Sequence, residues 1–230
     1  MNSKDTNLVN KNGWHNPVEN PRRNKYNSKG NIKPVSGSYG DVREGYTKYH
    51  SGLDLFALPG TKVFSCMKGT IAGSSSSGSA GQIIRIKVDN VKDLLNQMED
   101  INYSLEFDKG EIMGRDIKET DDVYLIYMHL SERYFLEGDV GTPVEAGTEI
   151  GLSGVSGTIA SGIPSPHLHL EIATVKDAYG KGKTVRTNPA RFIKLNSYDT
   201  TDQDDSVNFK YNQNGTKEKW NAPKENQLKL

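Results

Sequence analysis

The chain has 230 residues, with Lys and Arg balancing Asp and Glu at 29 each. That length suits one domain of ordinary size plus extensions, and the neutral balance gives no electrostatic reason to expect nucleic acid or an anionic membrane as partner. The single cysteine, Cys66, excludes an intrachain disulfide and a thiolate zinc cluster, and apolar residues at 34% leave room for segments outside a packed core.

Residues 1–34 open with MNSKDTNLVNKNGWHNPVENP and are rich in Asn, Lys, Pro and Gly. They lack the apolar run of a secretory leader and read as an extended arm lying on the domain. His15, in GWHNP, reads as a hydrogen-bonded histidine rather than a ligand. From about Val35 to Leu195 the texture is that of a β-protein. Short apolar runs (TKVFSCM, QIIRIKV, DVYLIYMHL, HLHLEIATV) are separated by Gly- and Ser-rich connections. Cys66 lies in the first run and reads as a small buried side chain. GSSSSGSAG, Gly73 to Gly81, reads as a flexible loop between two strands.

Between Asn90 and Asp108 the period changes. Leu94, Leu95, Met98 and Ile101 fall at helical spacing and predict one short helix, inserted between strands that end near Val88 and resume near Val123. From 196 to 230 the chain is polar and aperiodic, and reads as a disordered or loosely docked tail. No run reaches the ~18 apolar residues that a spanning helix needs.

The chemistry lies in the histidines. In PSPHLHLEI, a strand places His167, His169 and Glu171 on one face and Leu168, Leu170 and Ile172 on the other. Two more β-region histidines are His50, in HSGLD, and His129, in YMHLS. Together with Asp54 these imidazoles form the donor set of a borderline metal such as zinc. In a flat strand the Cα atoms of His50 and Asp54 would stand roughly 13 Å apart, so a shared ion requires a bend near Gly52. Glu171 reads equally as a partner that orients a ligand imidazole or as a solvated partner for a lysine.

HSGLD, YMHLS and PHLHLEI, in that order, resemble the motifs of the lysostaphin-type (LytM-like) zinc metallopeptidases, which cut bacterial peptidoglycan. The Gly-rich approach from Glu137 to Ile172 and the close TNPARF extend the resemblance to roughly Val35–Ile193. It implies an antiparallel β-sheet or sandwich core with one short inserted helix, and a metallopeptidase domain over 35–195 whose insertion spans about 90–122. It also implies that His50, Asp54 and His169 are zinc ligands and that His129 and His167 are catalytic histidines that do not bind metal. Tyr46 is the implied tyrosine assisting the transition state, with Tyr39 and Tyr49 as rivals. The segment from about Asn90 to Asp122 is longer than is usual in that family, and the strand after the serine run lacks its common aromatic pattern.

Three protein ligands leave one tetrahedral position open, the arrangement of a catalytic rather than a structural zinc. With that arrangement, the resemblance implies hydrolysis of peptidoglycan amide bonds; the alternative is a non-catalytic, wall-binding relative that activates another hydrolase. The implied substrate lies in the periplasm or cell wall. Without a leader in the sequence, either a leader has been removed or a dedicated secretion system delivers the chain; delivery as an interbacterial effector is expected, with a neutralising immunity protein or a secretion component as partner. Competing motifs fail: neither G-x-S-x-G nor H-E-x-x-H occurs, and DAYGKGKT has Asp177 where a P-loop needs its first glycine.

Overall fold

The computed structural model describes residues 9–24, 27–28, 31–32, 34–105, 109–157, 166–196, 209–211 and 217–219. Three two-stranded antiparallel pairs stand apart from the main sheet. They join β1 (Asn27–Ser28) to β2 (Asn31–Ile32), β3 (Gly40–Arg43) to β4 (Lys48–His50), and near the C-terminus Phe209–Tyr211 to Lys217–Lys219. The tail reading otherwise falls outside the described residues.

The main sheet has nine strands: β5 (Leu53–Phe56), β6 (Lys62–Phe64), β7 (Gly69–Ser77), β8 (Gly81–Val88), β9 (Tyr124–Arg133), β10 (Pro143–Val144), β11 (Glu149–Ser153), β12 (His167–Ala173) and β13 (Arg186–Thr187). Its strand pairs are antiparallel, so the fold is mainly antiparallel β. One α-helix, α1 (Val91–Ile101), is present among the described residues, none of which forms a helix long and apolar enough to cross a membrane.

Alternation along the strands builds the core. Leu53 and Leu55 of β5, Leu168, Leu170 and Ile172 of β12, and Leu125 and Tyr127 of β9 are fully buried in one cluster with Ile84 and Ile86 of β8. Each such aliphatic side chain contributes about 1.5–3 kcal/mol when removed from water. Trp14 and Val18 join the same cluster, so the N-terminal segment supplies core as well as cover. Cys66 is buried there too, and burial pushes its thiol up to about 12, which makes it inert at neutral pH.

The serine run is not a loop. Gly73 to Ser77 continue β7 and pair with Gln82–Arg85 and Gly81 of β8, leaving the turn to Gly78–Ala80. Composition misled because the ladder supplies backbone partners whatever the side chains, and the serines find their own: Ser74 Oγ donates to the Phe135 carbonyl and Ser75 accepts from Arg85.

The helix forms where its spacing places it. Asn90 caps it by accepting from the Lys92 and Asp93 amides, and Asn102 ends it in the left-handed region at φ 45°. Leu94 is fully buried, while Leu95 and Met98 pack at the margin of the core. Gln97 is buried as well, donating to the Phe192 carbonyl and accepting from Asn10. The stretch after the helix is tied down by Glu111, whose Oε1 accepts from Arg23, Tyr103 and Asn188. One buried carboxylate thus joins the N-terminal segment, the stretch after α1 and the closing TNPARF stretch.

Candidate metal centre

The face of β12 opposite the core carries His167, His169 and Glu171, as its alternation dictates. Both imidazoles are buried on that face, each only 6% exposed. Asp54 lies directly across the β5–β12 ladder from His169. His50 arrives from β4, which pairs with β3 outside the main sheet. Between β4 and β5 the chain bends at Gly52, and this brings the His50 Nε2 to 3.2 Å from the Asp54 Oδ1. A Cβ at Gly52 would meet the Leu170 carbonyl oxygen at 2.4 Å and the His169 Nε2 at 2.7 Å. Close approach of the His169 ring, rather than a left-handed backbone, is what requires glycine there.

Three atoms converge. The His169 Nδ1 lies 2.8 Å from the Asp54 Oδ1 and 3.1 Å from the His50 Nε2. The outer partners define which atoms bear protons. The Ser38 carbonyl, 2.7 Å from the His50 Nδ1, can only accept, so that nitrogen carries the hydrogen and Nε2 is a bare lone pair. The second oxygen of Asp54 accepts from Arg43 at 2.5 Å. Beyond His169, the Glu171 Oε1 lies 3.4 Å from Nε2, and its other oxygen accepts from Arg186 at 2.8 Å. Glu171 therefore faces an imidazole and an arginine inside the protein, not a surface lysine.

Electron pairs aimed at one another repel, so a cation or a proton belongs among these three atoms. Among the protein's own groups, the proton goes to His169. Burial opposes its charge, but Asp54 and Glu171 beside it outweigh burial and hold it at about 9. Burial drives His50 down to about 4, which keeps it neutral. Burial also works against Asp54, yet His50, His167 and Arg43 around it hold its carboxyl well below the usual range. A tetrahedral zinc with contacts of about 2.0–2.1 Å separates its ligand atoms by about 3.3 Å. The observed edges of 2.8, 3.1 and 3.2 Å need only a slight expansion. Two imidazole nitrogens and one carboxylate oxygen fit zinc in size, type and charge.

Two further histidines flank this triangle. The His167 Nε2 is 3.5 Å from the Asp54 Oδ1, and the His129 ring lies 4.8 Å from that of His167 and 5.8 Å from that of His169. His129 occupies a fork in the sheet. Tyr124 to Met128 of β9 pair with β12, while Leu130 to Arg133 pair with β11. At the switch His129 adopts φ 64°, a left-handed conformation that histidine tolerates better than most residues. Its Nδ1 donates to the Ser156 carbonyl at 2.9 Å. Burial, then the neighbouring His167 and His169, hold this imidazole well below its ordinary value, so it is neutral at pH 7.

The tyrosines are placed differently. Tyr46 sits in the β3–β4 turn, 39% exposed at φ 71°, with the Lys109 ammonium 4.6 Å from its ring centroid. Tyr39 and Tyr49 stack edge to face at 5.5 Å, and the Tyr39 hydroxyl donates to the Arg186 carbonyl. His15 is buried against Phe64, with its Nδ1 2.7 Å from the Asn16 carbonyl. Arg43 and Arg186 were not singled out in the sequence, because no local pattern marks them, and Ser156 lay within the Gly-rich approach without a role of its own.

Fold and site together define a mainly antiparallel β domain with a buried His–Asp–His cluster able to hold a metal ion. No protein-family model and no curated protein matches the chain. Solved structures similar to it include the catalytic domain of the antimicrobial peptidase lysostaphin from Staphylococcus simulans: 24% identical, TM-score 0.45, covering 67% of this chain and 87% of that one. A mutant catalytic domain of the prophage-encoded M23 protein EnpA from Enterococcus faecalis is also 24% identical, with TM-score 0.42, covering 66% and 84%. The SpoIIQ–SpoIIIAH pore-forming complex is similar at 17% identity and TM-score 0.43, covering 78% and 90%. Fold by itself leaves activity open.

Proposed function

We propose that this chain is a zinc-dependent endopeptidase that hydrolyses amide bonds in peptidoglycan peptides. The observation that carries the reading is the pair His129 and His167, held beside a three-donor triangle without belonging to it. A binding module needs no such pair. The substrate class rests on the motif resemblance over Val35–Ile193, and it puts the site of action in the periplasm or cell wall.

His50, Asp54 and His169 would hold the ion, which when bound supplies a Lewis acid for the scissile carbonyl and acidifies water. His129, neutral and with its Nδ1 hydrogen committed to Ser156, offers Nε2 as the general base. His167 is left to donate to the developing oxyanion and the departing amine. Arg43 and Glu171 hold Asp54 and His169 in the orientation their shared point requires.

Purified protein is expected to bind one zinc per chain and to release fragments from isolated peptidoglycan. His129→Ala and His167→Ala should each keep the zinc and lose about 10²-fold or more in turnover. Expression directed to the periplasm, but not to the cytoplasm, should lyse cells, as expected of a delivered effector. Loss of zinc from either variant would show that ligand and catalyst have been confused. A zinc-loaded wild type that cleaves no wall would favour the wall-binding alternative.

A further inference from the structure

Ser156 lies in the Gly-rich approach to β12, beside the fork that holds His129. Across the fork the β8–β9 ladder runs from Ile84 opposite Tyr127 to Gln82 opposite Leu130, so β9 carries one residue more than β8. This is a bulge, and it re-aims a side chain. The Ser156 hydroxyl occupies the gap. Its Oγ accepts from the Gln82 amide at 2.9 Å and donates to the Leu130 carbonyl at 2.6 Å. A hydroxyl is suited to this bridge because one atom both donates and accepts. The same residue's carbonyl takes the His129 Nδ1 hydrogen.

Two glycines admit the bridge. A Cβ at Gly81 would stand 2.2 Å from both the carbonyl oxygen and the Oγ of Ser156, and one at Gly157 would stand 2.2 Å from the Gly81 nitrogen. Both glycines have positive φ, 64° and 76°, so conformation and space demand the same residue. Without the hydroxyl, the Gln82 amide and the Leu130 carbonyl would be left without this bridge, and closing the ladder directly is the cheapest repair. Closure would pull His129 out of its left-handed conformation.

We infer that Ser156 is the positioning residue of His129. Its hydroxyl holds the bulge open, and its carbonyl fixes the hydrogen on Nδ1 so that Nε2 presents a lone pair. This deepens the proposed function, since it rests on His129 acting as the base.

The test uses the full zinc-loaded chain with 15N-labelled histidine near pH 7. Imidazole shifts of the wild type should show a protonated Nδ1 and a bare Nε2 at His129. In Ser156→Ala the two tautomers should mix or reverse, with kcat down about 10- to 100-fold, KM little changed and zinc content retained. A wild-type His129 protonated on Nε2 overturns the inference even if the variant fails to fold. So does a folded Ser156→Ala that matches wild type in both tautomer and kcat. A wild type that shows the expected tautomer but cleaves nothing supports the hold on His129 while removing the proposed function.

Discussion

At the scale of residues, the site is a problem in where one proton or one cation sits. His169 is held at about 9 against an ordinary 6.5. The folded value exceeds the unfolded one, so the bound proton stabilises the metal-free chain fully below about pH 6.5, and that contribution is lost as pH rises through about 9. Zinc held as proposed would use the same lone pair. Its binding at pH 7 is therefore expected to release about one proton, counted by calorimetry in buffers of different ionisation enthalpy. Binding without proton release would show that His169 is already neutral at pH 7 or stands outside the ligand set. Gly52 makes the second residue-scale prediction. Alanine there would push on the His169 ring and the Leu170 carbonyl. Gly52→Ala should weaken zinc binding about 10- to 100-fold in chelator competition and cost about 1–3 kcal/mol of stability.

Elements are held in place by polar locks as much as by apolar faces. Glu111 and Arg23 are both essentially unexposed, 3.0 Å apart. A buried pair adds little over an apolar substitute, but removing one member is expensive. Glu111→Ala should therefore cost about 3–5 kcal/mol in denaturant unfolding, whereas Glu111→Gln, which keeps an acceptor for Tyr103 and Asn188, should cost less. Equal costs would show that charge and acceptor play no separate part. The helix α1 was legible because its apolar spacing is local. The lock was not: its partners lie between 8 and 88 residues from Glu111, and nothing in their immediate sequence announces them.

For the whole molecule, the decisive event is that β9 changes partner from β12 to β11. The donors of the triangle come from β4, β5 and β12, and β4 belongs to a different sheet from the other two. A bound ion would pin the β3–β4 hairpin to the main sheet, and a ligand of the native state alone stabilises by mass action, about 2.7 kcal/mol at a hundredfold excess over Kd. Chelation should lower the thermal midpoint and added zinc restore it. His129→Ala should show the same shift, since His129 stands outside the triangle. A midpoint indifferent to chelator would mean that the two sheets do not share an ion.

The sequence by itself determined what depends on neighbours along the chain. A period of two set the faces of β12, helical spacing set α1, and the separation of His50 from Asp54 made a bend near Gly52 the condition for a shared ion. Tertiary structure decided the rest. The serine run became strand because a partner ladder was available, and the imidazole face became buried because other elements cover it. Arg43, Arg186 and Ser156 found their partners only through contacts that the fold makes. Periodicity records which way a side chain points, whereas hydrogen bonds and charge pairs are made with whatever the fold brings alongside.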